Sequence, residues 1–208
     1  MLGRLIVRDD AAGRRVGRIV EVEAYGGARD PASHASRGPT PRNRTMFGPP
    51  GHAYIYVSYG VHCCLNVVTG VDGEPSAVLI RALEPLEGLA LMEGARRGRG
   101  VRAGPSTKGR ARARTGSAHR LHLARGPGLV ARALGLTLEH DGADLTGGIL
   151  WLAGSPWRGA RIARSPRIGI SRAVSRRWRF FLAGHPSVSG PRRRRTSQPA
   201  AQRKGARR

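Results

Sequence analysis

Acidic residues are scarce in this chain of 208. Against 37 Lys and Arg stand 13 Asp and Glu, for a formal charge of +24. A surface of that sign attracts polyanions, nucleic acid first and anionic membrane second. Lysine is scarcer still: Lys108 and Lys204 are the only two, so nearly all the positive charge is arginine. GC-rich codon usage explains that preference as readily as function does, but not the excess of positive over negative charge. Cysteine is limited to the adjacent Cys63 and Cys64. Neighbours in a strand point to opposite faces, so a disulfide between them is not expected. Their spacing from His52 and His62 fits no standard zinc pattern, so no metal is expected. Apolar runs never reach the roughly 18–20 residues that a membrane span needs. The start, M-L-G-R-L-I-V, reads as a strand without a signal-peptide pattern. A soluble intracellular protein with no membrane partner is the expectation.

What is present organises into one domain. Residues 2–8 and 15–25 read as strands joined by a turn at 9–13, with alternation from Val16 to Tyr25. Residues 26–52 are rich in Gly, Pro, Ser and Asn and read as loop. Residues 53–68 read as two strands around a turn near 58–60. Another strand is predicted at 76–83 and a helix starting over 85–92. Residues 94–125 hold ten Arg or Lys and no acid, a low-complexity basic loop. A helix is predicted over 127–134, with Pro near its start, and short strands over 144–152, 162–170 and 178–183. From 191 to 208 the chain reads as a disordered basic tail with eight basic residues. Many strands and few helices predict an α+β fold. The chain reads as a single mixed domain over 1–190, with a curved, mainly antiparallel sheet.

Two of the few acids fall together in I-V-E-V-E-A-Y-G-G, residues 19–27. In a strand, residues two apart share a face. Glu21, Glu23 and Tyr25 therefore project one way, and Val20, Val22 and Ala24 the other, into the core. Glu21 reads as a solvated surface or support residue. Glu23 reads as functional, because an aromatic and two glycines follow at once and glycine lets a ligand approach the backbone. Two carboxylates about 6.5–7 Å apart also permit an acid/base pair acting on a sugar. Three of the four tyrosines lie within Y-I-Y-V-S-Y-G. Tyr54 and Tyr56 share a strand face, and Tyr59 falls at the hairpin tip. On so basic a protein, exposed aromatics suit stacking on bases or wedging between them.

These motifs carry a family resemblance. E-V-E-A-Y-G-G, H-A-S-R-G-P-T-P-R-N-R-T-M-F-G-P-P-G, Y-I-Y-V-S-Y-G-V-H-C-C-L-N-V-V and A-V-L-I-R-A-L-E-P-L-E-G follow one another in register. A-R-G-P-G (124–128), A-L-G-L (133–136), I-L-W-L (149–152), R-I-G-I-S (167–171) and W-R-F-F-L-A-G-H-P-S-V-S-G (178–190) continue the pattern. Together they resemble the alkyladenine (3-methyladenine) DNA glycosylase family over most of the chain.

The resemblance implies a single mixed domain with a protruding β-hairpin and a role for each matching position. Glu23 would be the general base that activates water, with Arg81 near the base, the water and a phosphate. Tyr25 and Tyr56 would sandwich a flipped base, and His34 would line the same pocket. Asn66 would gate against a guanine-like exocyclic amino group. Tyr59 would enter the minor groove and fill the gap left by the extruded nucleotide. Arg42 and Arg44, beside the pocket, are expected phosphate contacts. The implied partner is double-stranded DNA, bound by a monomer in a bacterial cytoplasm, at the nucleoid. No cofactor is implied: one carboxylate and aromatic walls suffice to release a cationic purine. A bifunctional lyase commonly needs an amine for a Schiff base. With two lysines, both in low-complexity sequence, a lyase is not expected; only the N-terminal amine is left for that role.

Two departures stand out. Bacterial members commonly carry a helical segment before the first strand, where this chain begins almost at the strand. The Gly-Pro motif leads one to expect a basic residue near 128–129, where Gly128 and Leu129 stand. Two further readings follow from the residues: a noncatalytic nucleic-acid-binding protein on the same scaffold, and a sugar-acting hydrolase using Glu21 and Glu23.

Overall fold

The long alternating run becomes the spine of the fold. In the computed structural model, which describes residues 1–97 and 120–190, strand β2 spans Arg15–Tyr25. Its first half pairs antiparallel with β1 (Leu5–Arg8) and its second half with β8 (Arg179–Leu182). Its other edge carries β5 (Ala77–Glu87). β5 is followed outward by β4 (His62–Val68) and β3 (Ala53–Ser58). β6 (Leu150–Ala153) extends the sheet beyond β1, and β7 (Ile162–Ser165) pairs with β8. Every pairing is antiparallel, and the sheet curls into a half-barrel in a single α+β domain. The concave interior is filled by Ile6, Ile19, Val20, Leu65, Ile80 and Leu83. Burying each such side chain contributes about 1.5–3 kcal/mol. Most of the basic stretch at 94–125 and all of the tail at 191–208 lie outside the described residues.

Among the described residues two α-helices cover the core. Helix α1 is Leu89–Arg96 and α2 is Pro127–Leu134; Met92, Val130 and Leu134 are buried against the sheet. Proline opens α2 at no cost in hydrogen bonds, because N–H groups of the first turn have no helical acceptor. At its other end Arg8 Nη1 donates to the carbonyl of Leu134 at 2.7 Å, where a cation complements the helix dipole.

Three predicted boundaries are corrected. The helix expected to start at 85 begins at Leu89, because β5 runs on to Glu87. Pro85 is tolerated there, since it lies opposite Gly17 where the β2–β5 ladder shifts register. The strand expected over 144–152 is confined to Leu150–Ala153. Asp144 instead accepts the N–H and hydroxyl of Thr146 in a local turn. The strand expected over 162–170 stops at Ser165, before Pro166. That early stop frees R-I-G-I-S to turn toward the site. The 26–52 loop contains three short 3-10 helices, Gly27–Arg29, His34–Arg37 and Arg44–Phe47.

Candidate active site

A cavity of about 490 Å³ opens between the β3–β4 hairpin, the 26–47 loop and the R-I-G-I-S segment. That is within the roughly 300–1,000 Å³ typical of small-molecule sites. Tyr25, His34, Tyr54, Tyr56, Arg81 and Ile168 are among its lining residues, with Arg42 and Tyr59 also on its wall. A second small core of Ala35, Met46, Tyr54, Val68 and Ala77 supports the aromatic walls, with Tyr25 and Tyr56 packed on it.

Loop and hairpin are fastened together by polar contacts. Ser33 accepts the N–H of Ala35, capping the turn that carries His34. The buried Asn43 donates to the carbonyls of His34 (2.9 Å) and Gly38 (3.1 Å) and accepts the N–H of Thr40. His34 Nδ1 bonds the Tyr54 hydroxyl at 2.8 Å, and its ring meets Tyr56 edge-on at 4.5 Å. Burial, and then the charge of Arg42, hold the His34 imidazole below its ordinary pKa, so it is neutral near pH 7. Burial pushes the phenols of Tyr54 and Tyr56 up, so both stay protonated. Arg42 donates to the Val57 carbonyl at 2.8 Å and lies over the Tyr56 ring at 5.5 Å.

The two glutamates sit under this cavity, and both are fully buried. Glu23 Oε2 accepts from the Tyr25 hydroxyl (3.0 Å) and from Arg81 Nη1 (3.2 Å). Its Oε1 accepts the backbone N–H of Ile168 at 2.7 Å. Burial raises the Tyr25 phenol pKa, and the charge of Glu23 and its hydrogen bond raise it further. The solvated surface role expected for Glu21 is overturned. Its Oε1 accepts from Arg81 Nε (3.1 Å), Arg179 Nε (2.6 Å) and the Ser189 hydroxyl (2.8 Å), and its Oε2 from the Ser189 N–H. The cause lies outside the strand: β8 pairs along the edge of β2 and brings Arg179, and the segment after β8 folds Ser189 onto the face that alternation alone leaves open.

A further buried pair lies behind Tyr25. Arg167 grips Asp30 with both terminal nitrogens and donates to the Ala24 carbonyl at 2.9 Å. Its guanidinium is sandwiched between the rings of Tyr25 (4.7 Å) and Trp178 (5.2 Å). Burial works to raise the Asp30 pKa, but Arg167 and the backbone donors Ala32 and Gly26 outweigh it and hold the carboxyl below its ordinary range. Asp30 thereby fixes the turn between Tyr25 and His34. Sequence reasoning missed Asp30, Arg167, Asn43 and Arg179. The only local signals were Asp30 in a Gly-rich turn and Arg167 at the head of R-I-G-I-S.

The structure thus brings Glu23, Arg81, Tyr25, His34, Tyr56, Tyr59 and Arg42 together. Three expected residues stand apart from the cavity lining: Glu23, which is fully buried behind Tyr25, Arg81 and Ile168 of the lining, and Asn66 and Arg44. Asn66 is buried and donates to the Tyr54 carbonyl at 3.0 Å, paired with Leu79, which does line the cavity. Arg44 is exposed on the neighbouring turn. The missing basic residue at 128 has a steric reason, since a Cβ on Gly128 would lie 3.0 Å from His62 Cβ. Among the described residues no three His, Cys, Asp or Glu gather as a metal site requires.

A buried carboxylate behind an aromatic cavity, on a basic protein, defines an enzyme acting on nucleic-acid bases more readily than a simple binding surface. Residues 1–186 match the family described as Methylpurine-DNA glycosylase (MPG), and the chain belongs to this family of hydrolases, which release methylated purines from DNA. Among similar proteins, one from Burkholderia lata is 47% identical over 188 residues, covering 89% of this chain and 82% of the relative. Another, from Anaeromyxobacter dehalogenans strain 2CP-1, is 43% identical over 195 residues, 92% of this chain and 78% of its own length. A third, from Frankia casuarinae, is 48% identical over 187 residues, 84% and 79% respectively. Each bears the name "Putative 3-methyladenine DNA glycosylase".

Proposed function

We propose that the protein repairs alkylated DNA by excising purines of the 3-methyladenine type. The nucleotide flips into the cavity, and a water held by Glu23 attacks its anomeric carbon. The observation that carries this reading is the hydrogen bonding of Glu23. A carboxylate oxygen accepts about two hydrogen bonds. Oε2 is filled by Tyr25 and Arg81, whereas Oε1 holds only the Ile168 N–H and keeps a second lone pair with which to accept from a water. The carboxylate orients and deprotonates that water and balances the positive charge that develops on the sugar. A purine alkylated to a cation is already a good leaving group. Tyr25 and Tyr56 attract a cationic ring through their π faces, worth about 0.5–2 kcal/mol.

The other assignments follow the same geometry. Tyr59, 88% exposed at the hairpin tip, enters the minor groove and occupies the vacated stack. Arg42 and Arg44 contact phosphates. Asn66 gates against a guanine-like amino group, a role supported by its place beside Cys64 and Leu79 on the cavity wall. With only two lysines, Lys108 and Lys204, both in low-complexity sequence, water rather than an amine is taken as the nucleophile, with no lyase step. The enzyme acts as a monomer in the cytoplasm, at the nucleoid. No described helix is long and apolar enough to cross a membrane.

Methylated duplex DNA should yield free 3-methyladenine and abasic sites without strand breaks. Glu23→Gln should lower single-turnover release by ~10²–10⁴-fold while binding to an abasic-site analogue persists. Full activity in that variant would sink the water-activation step. Binding without any release by the native chain would instead favour the noncatalytic reading. The sugar-hydrolase reading loses its second carboxylate, because the Glu21 oxygens are taken up by Arg81, Arg179 and both polar groups of Ser189.

A further inference from the structure

The Glu21 carboxylate has no part in the chemistry above, yet it is fully buried and as heavily bonded as Glu23. Burying an ion is costly unless its partners are well placed. Here two arginines and both polar groups of Ser189 meet it. The consequence for Arg81 is specific. A guanidinium is a rigid planar fork, so fixing two of its nitrogens fixes the third. Glu21 takes Nε and Glu23 takes Nη1. Among the described residues nothing accepts from Nη2, and Arg81 lines the cavity.

We infer that Glu21 is a positioning residue for base excision: it locks Arg81 so that one terminal nitrogen meets Glu23 and the other is presented to the flipped nucleotide. The inference rests on the Glu23 reading of the preceding section. Glu23 alone cannot set the orientation of Arg81, because a single contact to Nη1 leaves the plane free to rotate about that bond. Glu21 supplies the second point. It is itself immobilised by Arg179 on β8 and by Ser189 in the segment after it, so three separate parts of the chain fix one guanidinium. Misplacing a group in a reacting site by about 1 Å can cost about 10²-fold in rate.

The test is single-turnover release of 3-methyladenine from methylated duplex by Glu21→Gln, Glu21→Gln/Arg179→Gln, Arg81→Met and Glu21→Gln/Arg81→Met, scored on the folded fraction. Glu21→Gln should lower the rate by ~10–100-fold and leave affinity for an abasic-site duplex within about twofold. It also leaves Arg179 a buried unpaired cation, so its melting temperature should fall. Adding Arg179→Gln removes that cation and should restore the melting temperature but not the rate. In the Arg81→Met background Glu21→Gln should cost less than about twofold further, because contacting residues that act as a unit are not additive. The inference is overturned if Glu21→Gln releases base at the native rate. It is equally overturned if the Arg179→Gln double variant recovers the rate along with stability, or if the full loss persists without Arg81. Glu23→Gln is run alongside: its full activity removes the general base itself, whatever Glu21 does.

Discussion

The hairpin tip and the floor of the cavity are built on opposite terms. At the tip, Tyr59 and Val61 are exposed apolar residues with little around them. Tyr59 has φ of 50° and Gly60 of 72°, with Val61 N–H bonded to the Ser58 carbonyl, a tight turn with two left-handed residues. Glycine accepts that conformation; a tyrosine there is strained. On the floor, Glu21, Glu23, Asp30, Arg81, Arg167 and Arg179 are charged, buried and paired. One region holds an aromatic where folding gains nothing from it, the other holds ions away from bulk solvent. Each runs against ordinary preference, and each does so at the place where a damaged nucleotide would be pushed out or received. The tip needs only a local turn, whereas the floor needs the whole sheet to be in place.

Breaking the floor should therefore have the larger effect on folding. Asp30→Asn leaves Arg167 buried against half a partner, and removing one member of a buried pair costs about 3–5 kcal/mol. Denaturant unfolding should show that loss, with base release falling as the turn between Tyr25 and His34 loosens. A loss under about 1 kcal/mol would mean the pair is a bystander. Breaking the tip should do the reverse. Tyr59→Gly should weaken binding to a lesion duplex by about 1–3 kcal/mol and leave folding unchanged or firmer by up to about 1–3 kcal/mol, the strain at that φ being relieved. If lesion affinity is untouched, Tyr59 is no wedge; if folding suffers, the tip contributes to the core after all.

The same contrast governs what could be read before folding. Tyr59 and Gly60 are neighbours, so the hairpin and its exposed aromatic were legible from a few residues. The contact of Glu23 with Tyr25 was legible because residues two apart in a strand share a face. Glu21 was misread, since alternation describes one strand and says nothing of the distant segment that folds over its outer face. Its partners Arg81, Arg179 and Ser189 lie 60, 158 and 168 positions away. Arg167 and Asp30 are 137 apart, and among so many arginines nothing marked the ones that would be buried. Pro85 misled for a related reason: it looks like a helix start until the register shift opposite Gly17 is known.

His34 stands between the two regions, and its ionisation should sharpen the comparison by a smaller, measurable amount. Its pKa is lowered by burial and by Arg42, so the folded state resists a proton that the unfolded chain accepts near 6.5. Above that value both states are neutral and the full stability is present. As pH falls below it, the unfolded chain takes up the proton first and stability declines, until the folded pKa is passed and the decline from this group ends. His140, lowered by burial and Arg8, acts in the same direction, so His34→Gln should flatten the melting-temperature curve below pH 6.5 only in part. Base release should fall over the same range, because an imidazolium next to Tyr56 would repel the cationic purine that the neutral ring admits. An unchanged acid limb of release in His34→Gln would assign that limb to another group and leave His34 a hydrogen-bonded prop for Tyr54.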